Sequence, residues 1–110
     1  MTPLLVLTTV GADFDAVSFA RSLVEARLAA CVNILPAVES IYRWENRVTQ
    51  DGEKLLLIKT TAERLPELRA ALLERHPYDL PELVVIRPEQ VEERYAAWIA
   101  ESTTAPTAAR

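Results

Sequence analysis

The sequence predicts a single α+β domain of order strand, helix, strand, strand, helix, strand, with one further helix after the fourth strand. Three observations carry this reading. Short apolar runs that suit strands alternate with stretches of three- and four-residue apolar spacing that suit helices. The second and third strands follow each other with no helical stretch between them. A chain of 110 residues, half apolar and a quarter charged, suits one core rather than two. Such a domain buries roughly 60–70% of its unfolded surface, so no metal or disulfide is required for folding.

The first strand is Leu4 to Val10, a continuous apolar and β-branched run that reads as buried on both faces and is broken by Gly11. Asp13 or Asp15 can cap the helix that follows, whose apolar residues Val17, Ala20, Val24 and Leu28 recur at helical spacing. Cys31 to Leu35 returns to strand. Beyond Pro36, which lacks the amide a ladder needs and marks a bulge, Val38, Ser40, Tyr42 and Trp44 share one face and Glu39, Ile41, Arg43 and Glu45 the other. Asp51-Gly52 supplies hairpin-turn chemistry, and Lys54 to Thr60 is the returning strand.

Thr60 and Glu63 have capping-box spacing, with Pro66 moving the second helix start downstream and Leu65, Leu68 and Leu72 as its buried face. His76 precedes Pro77, so that helix ends near Arg75. Leu83 to Ile86 forms the fourth strand. Val91, Tyr95, Trp98 and Ile99 outline a last amphipathic helix ending near Ser102. Residues 1–102 are thus one ferredoxin-like βαββαβ domain with an added C-terminal helix and an extended hairpin between its second and third strands. Residues 103–110 lack large apolar side chains and are expected to be a disordered tail.

That hairpin is longer than the outer strands and overhangs them. Its end carries Ile41, Tyr42 and Trp44, and an isolated ribbon with apolar side chains and open edges is marginal. Pairing with other copies of the chain, or cover from the added helix, resolves this.

The net charge of −4 and dispersed basic residues argue against a nucleic-acid partner. No apolar run is long enough to suggest a membrane partner. One cysteine and the lack of a secretory pattern at the N-terminus give a cytoplasmic location as the expectation.

The blocks Ala29 to Pro36, Ser40-Ile41-Tyr42-Arg43-Trp44 and His76-Pro77-Tyr78-Asp79-Leu80-Pro81-Glu82, followed by Tyr95, Trp98 and Ile99, resemble the CutA family of divalent-cation tolerance proteins. The resemblance spans nearly the whole chain. It implies a homotrimer held by strand pairing between subunits, a link to tolerance of divalent cations, and copper binding. The chain departs from the family pattern at Asn46 and Val91, which stand where glycines are usual, and at Arg87 and Pro88.

Candidate site residues follow from side-chain chemistry. His76, the one histidine, is a natural copper or zinc ligand, yet it equally serves to end a helix beside the C-terminal dipole. Cys31 offers a soft sulfur, although core packing is the stronger reading of a cysteine on an apolar strand. No Cys-x-x-Cys or His-x-x-x-His pair exists, so a closed tetrahedral site within one subunit is unsupported, but in a trimer three copies of His76, or His76 with Glu82, Asp79 or Cys31 from the same or another subunit, could assemble one.

The alternative is a small-molecule-sensing scaffold whose intersubunit clefts, with Lys59, Tyr78, Asp79 and Glu82 as candidates, bind an organic anion. Tyr42 and Trp44 could stack a planar ligand, but together with Ile41 they better suit a trimer interface. With no Gly-x-Ser-x-Gly elbow and no glycine-rich phosphate loop, no enzymatic activity is expected.

Overall fold

The structure, a computed structural model, describes residues 1–104. Among these the chain forms β1 (Pro3–Gly11), α1 (Ala16–Glu25), β2 (Cys31–Trp44), β3 (Arg47–Thr61), α2 (Leu65–Arg75), β4 (Val84–Ile86) and α3 (Glu93–Thr103). The strands make one antiparallel sheet in the order β2-β3-β1-β4. This is the α+β ferredoxin-like order with the appended helix. Among the described residues no helix is long and apolar enough to cross a membrane.

The sheet has two unlike faces because its strands alternate with period two. Leu4, Val6, Thr8 and Val10 of β1 and Leu56, Ile58 and Thr60 of β3 are buried on one face. There Phe19 and Leu23 of α1 and Leu68 and Leu72 of α2 close the core against Val6, Val10, Leu56 and Ile58. Each large apolar side chain so buried stabilises the fold by about 1.5–3 kcal/mol. The other face, with Leu5, Leu7, Leu55 and Leu57, stays half-buried in the single chain, so β1 is not sealed on both sides as its composition suggests. Only one end of that face is covered: α3 buries Ile99 and Thr103, and Thr103 meets Thr61 of β3.

Several local expectations are corrected. Helix α1 is rotated from the predicted face, burying Ala16, Phe19, Ala20 and Leu23 while Val17 is 62% exposed. Phe19 decides the rotation, since its ring has more area to bury than a valine. It stands edge-on to Phe14 at 5.9 Å with the Arg75 guanidinium 5.0 Å from its centre. Of the two cap candidates, Asp15 is the one used, accepting from the Ser18 amide at 3.0 Å.

The hairpin turns at Glu45-Asn46, not at Asp51-Gly52. Trp44 pairs with Arg47, leaving a two-residue loop with φ of 50° and 63°, the positive values a type I′ turn demands. Asp51 and Gly52 lie inside β3 opposite Ser40 and Glu39. Thr60 is no helix cap either: its hydroxyl, within β3, donates to the Leu28 carbonyl at 2.7 Å, and α2 begins after Arg64 with Pro66 in its first turn.

Val91 lies ahead of α3, whose N-cap is Glu92, the side chain accepting from the Tyr95 amide at 2.9 Å. That helix runs past Ser102 to Thr103, which is buried rather than part of a tail, because its hydroxyl donates to the Ile99 carbonyl at 2.8 Å. Thr104 is the C-cap of that helix, and 105–110 of the expected tail lie outside the described residues.

Candidate functional site

The bulge between Leu35 and Val38 sets the site. An extra residue there shifts the alternation, so Val38, Ser40, Tyr42 and Trp44 come onto the same face as Thr49, Asp51 and Glu53 of β3. The loop from Pro77 to Leu83, between α2 and β4, stands opposite. Between arm and loop lies a cleft of about 870 Å³ whose lining includes Tyr42, Trp44, Asp51, Glu53, Tyr78, Asp79 and Glu82, with Arg43 as its one basic residue.

Glu53 forms the floor and is only 8% exposed. Its Oε2 accepts from the Tyr78 hydroxyl at 2.7 Å. Burial, reinforced by that bond and the Glu53 charge, holds the Tyr78 phenol well above its usual pKa. Glu82 is also raised, first by burial and then by repulsion from Glu53. Neither carboxylate is ion-paired to Lys or Arg among the described residues. On the arm, the Tyr42 hydroxyl donates to Asp51, and that bond foremost raises the Tyr42 pKa.

His76 lies behind the loop with both ring nitrogens engaged. Nδ1 accepts from the Tyr78 amide at 3.1 Å. Nε2 is 3.0 Å from both the Thr9 carbonyl and the Thr8 hydroxyl. Because Nδ1 receives a proton donor and the Thr9 carbonyl can only accept, the ring is the neutral Nε2–H tautomer. Burial lowers its pKa, opposed by the Thr9 bond and the Glu53 charge.

Of the residues singled out from sequence, the fold therefore brings Tyr42, Trp44, Ile41, Tyr78, Asp79 and Glu82 to one cleft. It leaves two others elsewhere. Lys59 pairs with Leu5, away from the arm, and its Nζ donates to the Tyr95 hydroxyl at 3.2 Å while lying 5.6 Å from that ring's centre. Cys31, opposite Lys59, is on the half-open face rather than in the core, with Sγ 3.9 Å from Asn33 Oδ1. Along β1, Lys59 lies opposite Leu5 and the His76 contact is at Thr9, a separation of roughly 13 Å at strand rise.

Sequence reasoning missed Glu53 and assigned Asp51 to a turn. The available signal was periodicity, since Glu53 continues the face of Leu55 and Leu57 by two residues. Among the described residues no three His, Cys, Asp or Glu side chains are arranged to hold a metal ion.

A family model described as CutA1 divalent ion tolerance protein matches residues 4–102. The chain belongs to the CutA1 family. It is 44% identical over 99 residues to the divalent-cation tolerance protein CutA of Thermus thermophilus, covering 90% of this chain and 96% of that one. It is 42% identical over 84 residues to the chloroplastic protein CutA of Arabidopsis thaliana, covering 76% of this chain but only 46% of the relative, about half its length. The solved structure of the Thermus thermophilus divalent cation tolerance protein superposes with a TM-score of 0.87 at 43% identity, covering 93% of this chain and 99% of the other. CutA1 membership and the ferredoxin-like fold thus agree with the blocks around Cys31, Trp44 and His76.

Proposed function

We propose that this CutA1 chain works as a non-enzymatic homotrimer that binds a divalent cation at the acidic floor of its cleft. The observation that carries this reading is the pair Glu53 and Glu82, one buried and one half-buried carboxylate lining the same cleft, with no ion-paired lysine or arginine among the described residues. A buried carboxylate held by one neutral hydroxyl, with a second carboxylate beside it, is costly, and a cation relieves it. The donor set is oxygen, which suits hard divalent ions better than copper(I). His76 does not fit as a ligand while both its nitrogens are bonded, and Cys31 faces another part of the sheet. One chain supplies too few donors, so a closed set draws on water or a neighbouring subunit. The acidic lining and the distance of Lys59 give an organic anion no support.

Trimer formation is supported by the half-open apolar face and by two free strand edges, the outer sides of β2 and β4. Unlike edges that pair head to tail close into a ring when the rotation allows.

Light scattering should give about three times the 12.3 kDa chain mass, and a monomer at micromolar concentration overturns the assembly. Calorimetric titration with Mn2+, Zn2+ and Cu2+ should show Glu53→Gln weakening binding by about 10–100-fold, a loss of the size seen when support at metal sites is removed. Unchanged affinity rejects the site. The Cu2+ form should show no imidazole nitrogen coupling by electron paramagnetic resonance; such coupling restores His76 as the ligand.

A further inference from the structure

We infer that His76 is a proton-sensitive latch: its neutral ring ties the Tyr78 loop to β1, and protonation of Nδ1 releases that loop and the donor it presents to Glu53. The geometry has three links. Strand β4 pairs with β1 only over Leu5 to Leu7, and the Nε2–H is taken by Thr9, just beyond the end of that ladder. On the other side of the ring, Nδ1 holds the Tyr78 amide, fixing the backbone at the loop's start. Tyr78 then reaches across Gly11 to Glu53 with its hydroxyl. One imidazole therefore couples the end of α2, the edge of β1 and the cleft floor.

Protonation changes one of these bonds in kind. An imidazolium has donors on both nitrogens, so the Nδ1–H would face the Tyr78 N–H, two donors opposed, while the Thr9 bond survives. The ring stays on β1 and the loop is repelled.

The surroundings set the direction. From β1 the ring meets only the neutral Thr8 and Thr9. From the loop it meets Tyr78, with ring centres 5.2 Å apart. From β3 the charge acting on it is Glu53, which favours protonation, and burial outweighs it. Arg75, the adjacent residue of α2, is directed to Ser22 and the Phe19 ring. Glu82 acts on the same carboxylate floor, its pKa raised by burial and then by the Glu53 charge. Acidification therefore opens the loop below the ordinary histidine range. Weaker cation binding would follow under the proposed function, but the latch does not depend on that reading.

The test needs no ligand. In the full-length, isotope-labelled protein with chelator present, ring nitrogen shifts of His76 and exchange protection of the Tyr78 amide are followed from pH 7.5 to 4.5 by NMR. The expected result is an Nε2–H tautomer at pH 7.5 and a several-fold loss of Tyr78 protection, corrected for intrinsic exchange, with the His76 midpoint below 6.5. The same step should persist in Glu82→Gln. It should vanish in His76→Asn, whose amide oxygen can accept from Tyr78 at every pH. Protection that is indifferent to His76 protonation, an Nδ1–H tautomer, or loss of the step in Glu82→Gln each overturns the latch. The wild-type measurement stands even where a variant folds poorly.

Discussion

Glu82 and His76 lie on the same loop and its hinge, yet their linkages to pH have opposite signs. The Glu82 carboxyl holds its proton more tightly in the folded state, so the stability it contributes is fully present below its unfolded value of 4.5 and is lost as pH rises through its raised value. His76 behaves the other way. Its contribution is full above 6.5 and is lost as pH falls through its lowered value. In the wild type the two trends partly cancel between those limits. Glu82→Gln removes only the first, so its melting temperature should exceed that of the wild type at pH 7 and converge with it at pH 4 when metal is chelated. A variant less stable at pH 7 would show that the carboxylate is held by interactions stronger than its burial cost.

At the scale of elements, the arm depends on a turn of two non-glycine residues at positive φ. Left-handed backbone costs most residues about 1–2 kcal/mol, least for asparagine and glycine. Asn46→Val should therefore lower stability by about 1–2 kcal/mol in urea unfolding, whereas Asn46→Gly should leave it equal or slightly higher; equal losses in both would point to a side-chain contact of Asn46 instead. This turn also marks the limit of what the sequence disclosed. Every strand and helix was legible in order, because the switch between periods of two and 3.6 is written in Leu4 to Val10, Lys54 to Thr60 and the leucines of α2.

The location of the turn was not legible, since Asp-Gly is the stronger turn dipeptide and cross-strand register overrode it. The rotation of α1 was hidden for a related reason: valines and Phe19 compete for one face, and only the packing partners Phe14, Leu23 and Arg75 decide. Within the site, Tyr78, Asp79 and Glu82 were readable as polar residues around prolines. Periodicity could place Glu53 on the face of Leu55 and Leu57, but not its hydrogen bond to a tyrosine 25 positions away.

For the whole molecule, the extents of 54 × 31 × 21 Å describe an elongated body with an arm, not a sphere. Its exposed apolar side chains include those of the arm, where Ile41 and Val48 are each 68% exposed, while Leu5, Leu7, Leu55 and Leu57 of the open sheet face are half-buried. A trimer that uses the sheet face should be broken by Leu7→Glu, because Leu7 is half-buried there and absent from the helix-side core. Light scattering should then report single chains that remain folded by circular dichroism, and a persistent trimer would place the interface elsewhere.

The bulge near Pro36 has a consequence for how such an arm can change over generations. It acts as a reading frame for the ribbon: Pro36 and Ala37 together stand opposite Lys54, so losing Ala37 keeps Val38 opposite Glu53 and Tyr42 and Trp44 on that face, whereas sliding the intact strand by one residue to close the bulge would turn Ile41 and Arg43 there instead. Variation by substitution grades the surface one side chain at a time. A one-residue slip of the pairing beyond this point would exchange two whole surfaces at once.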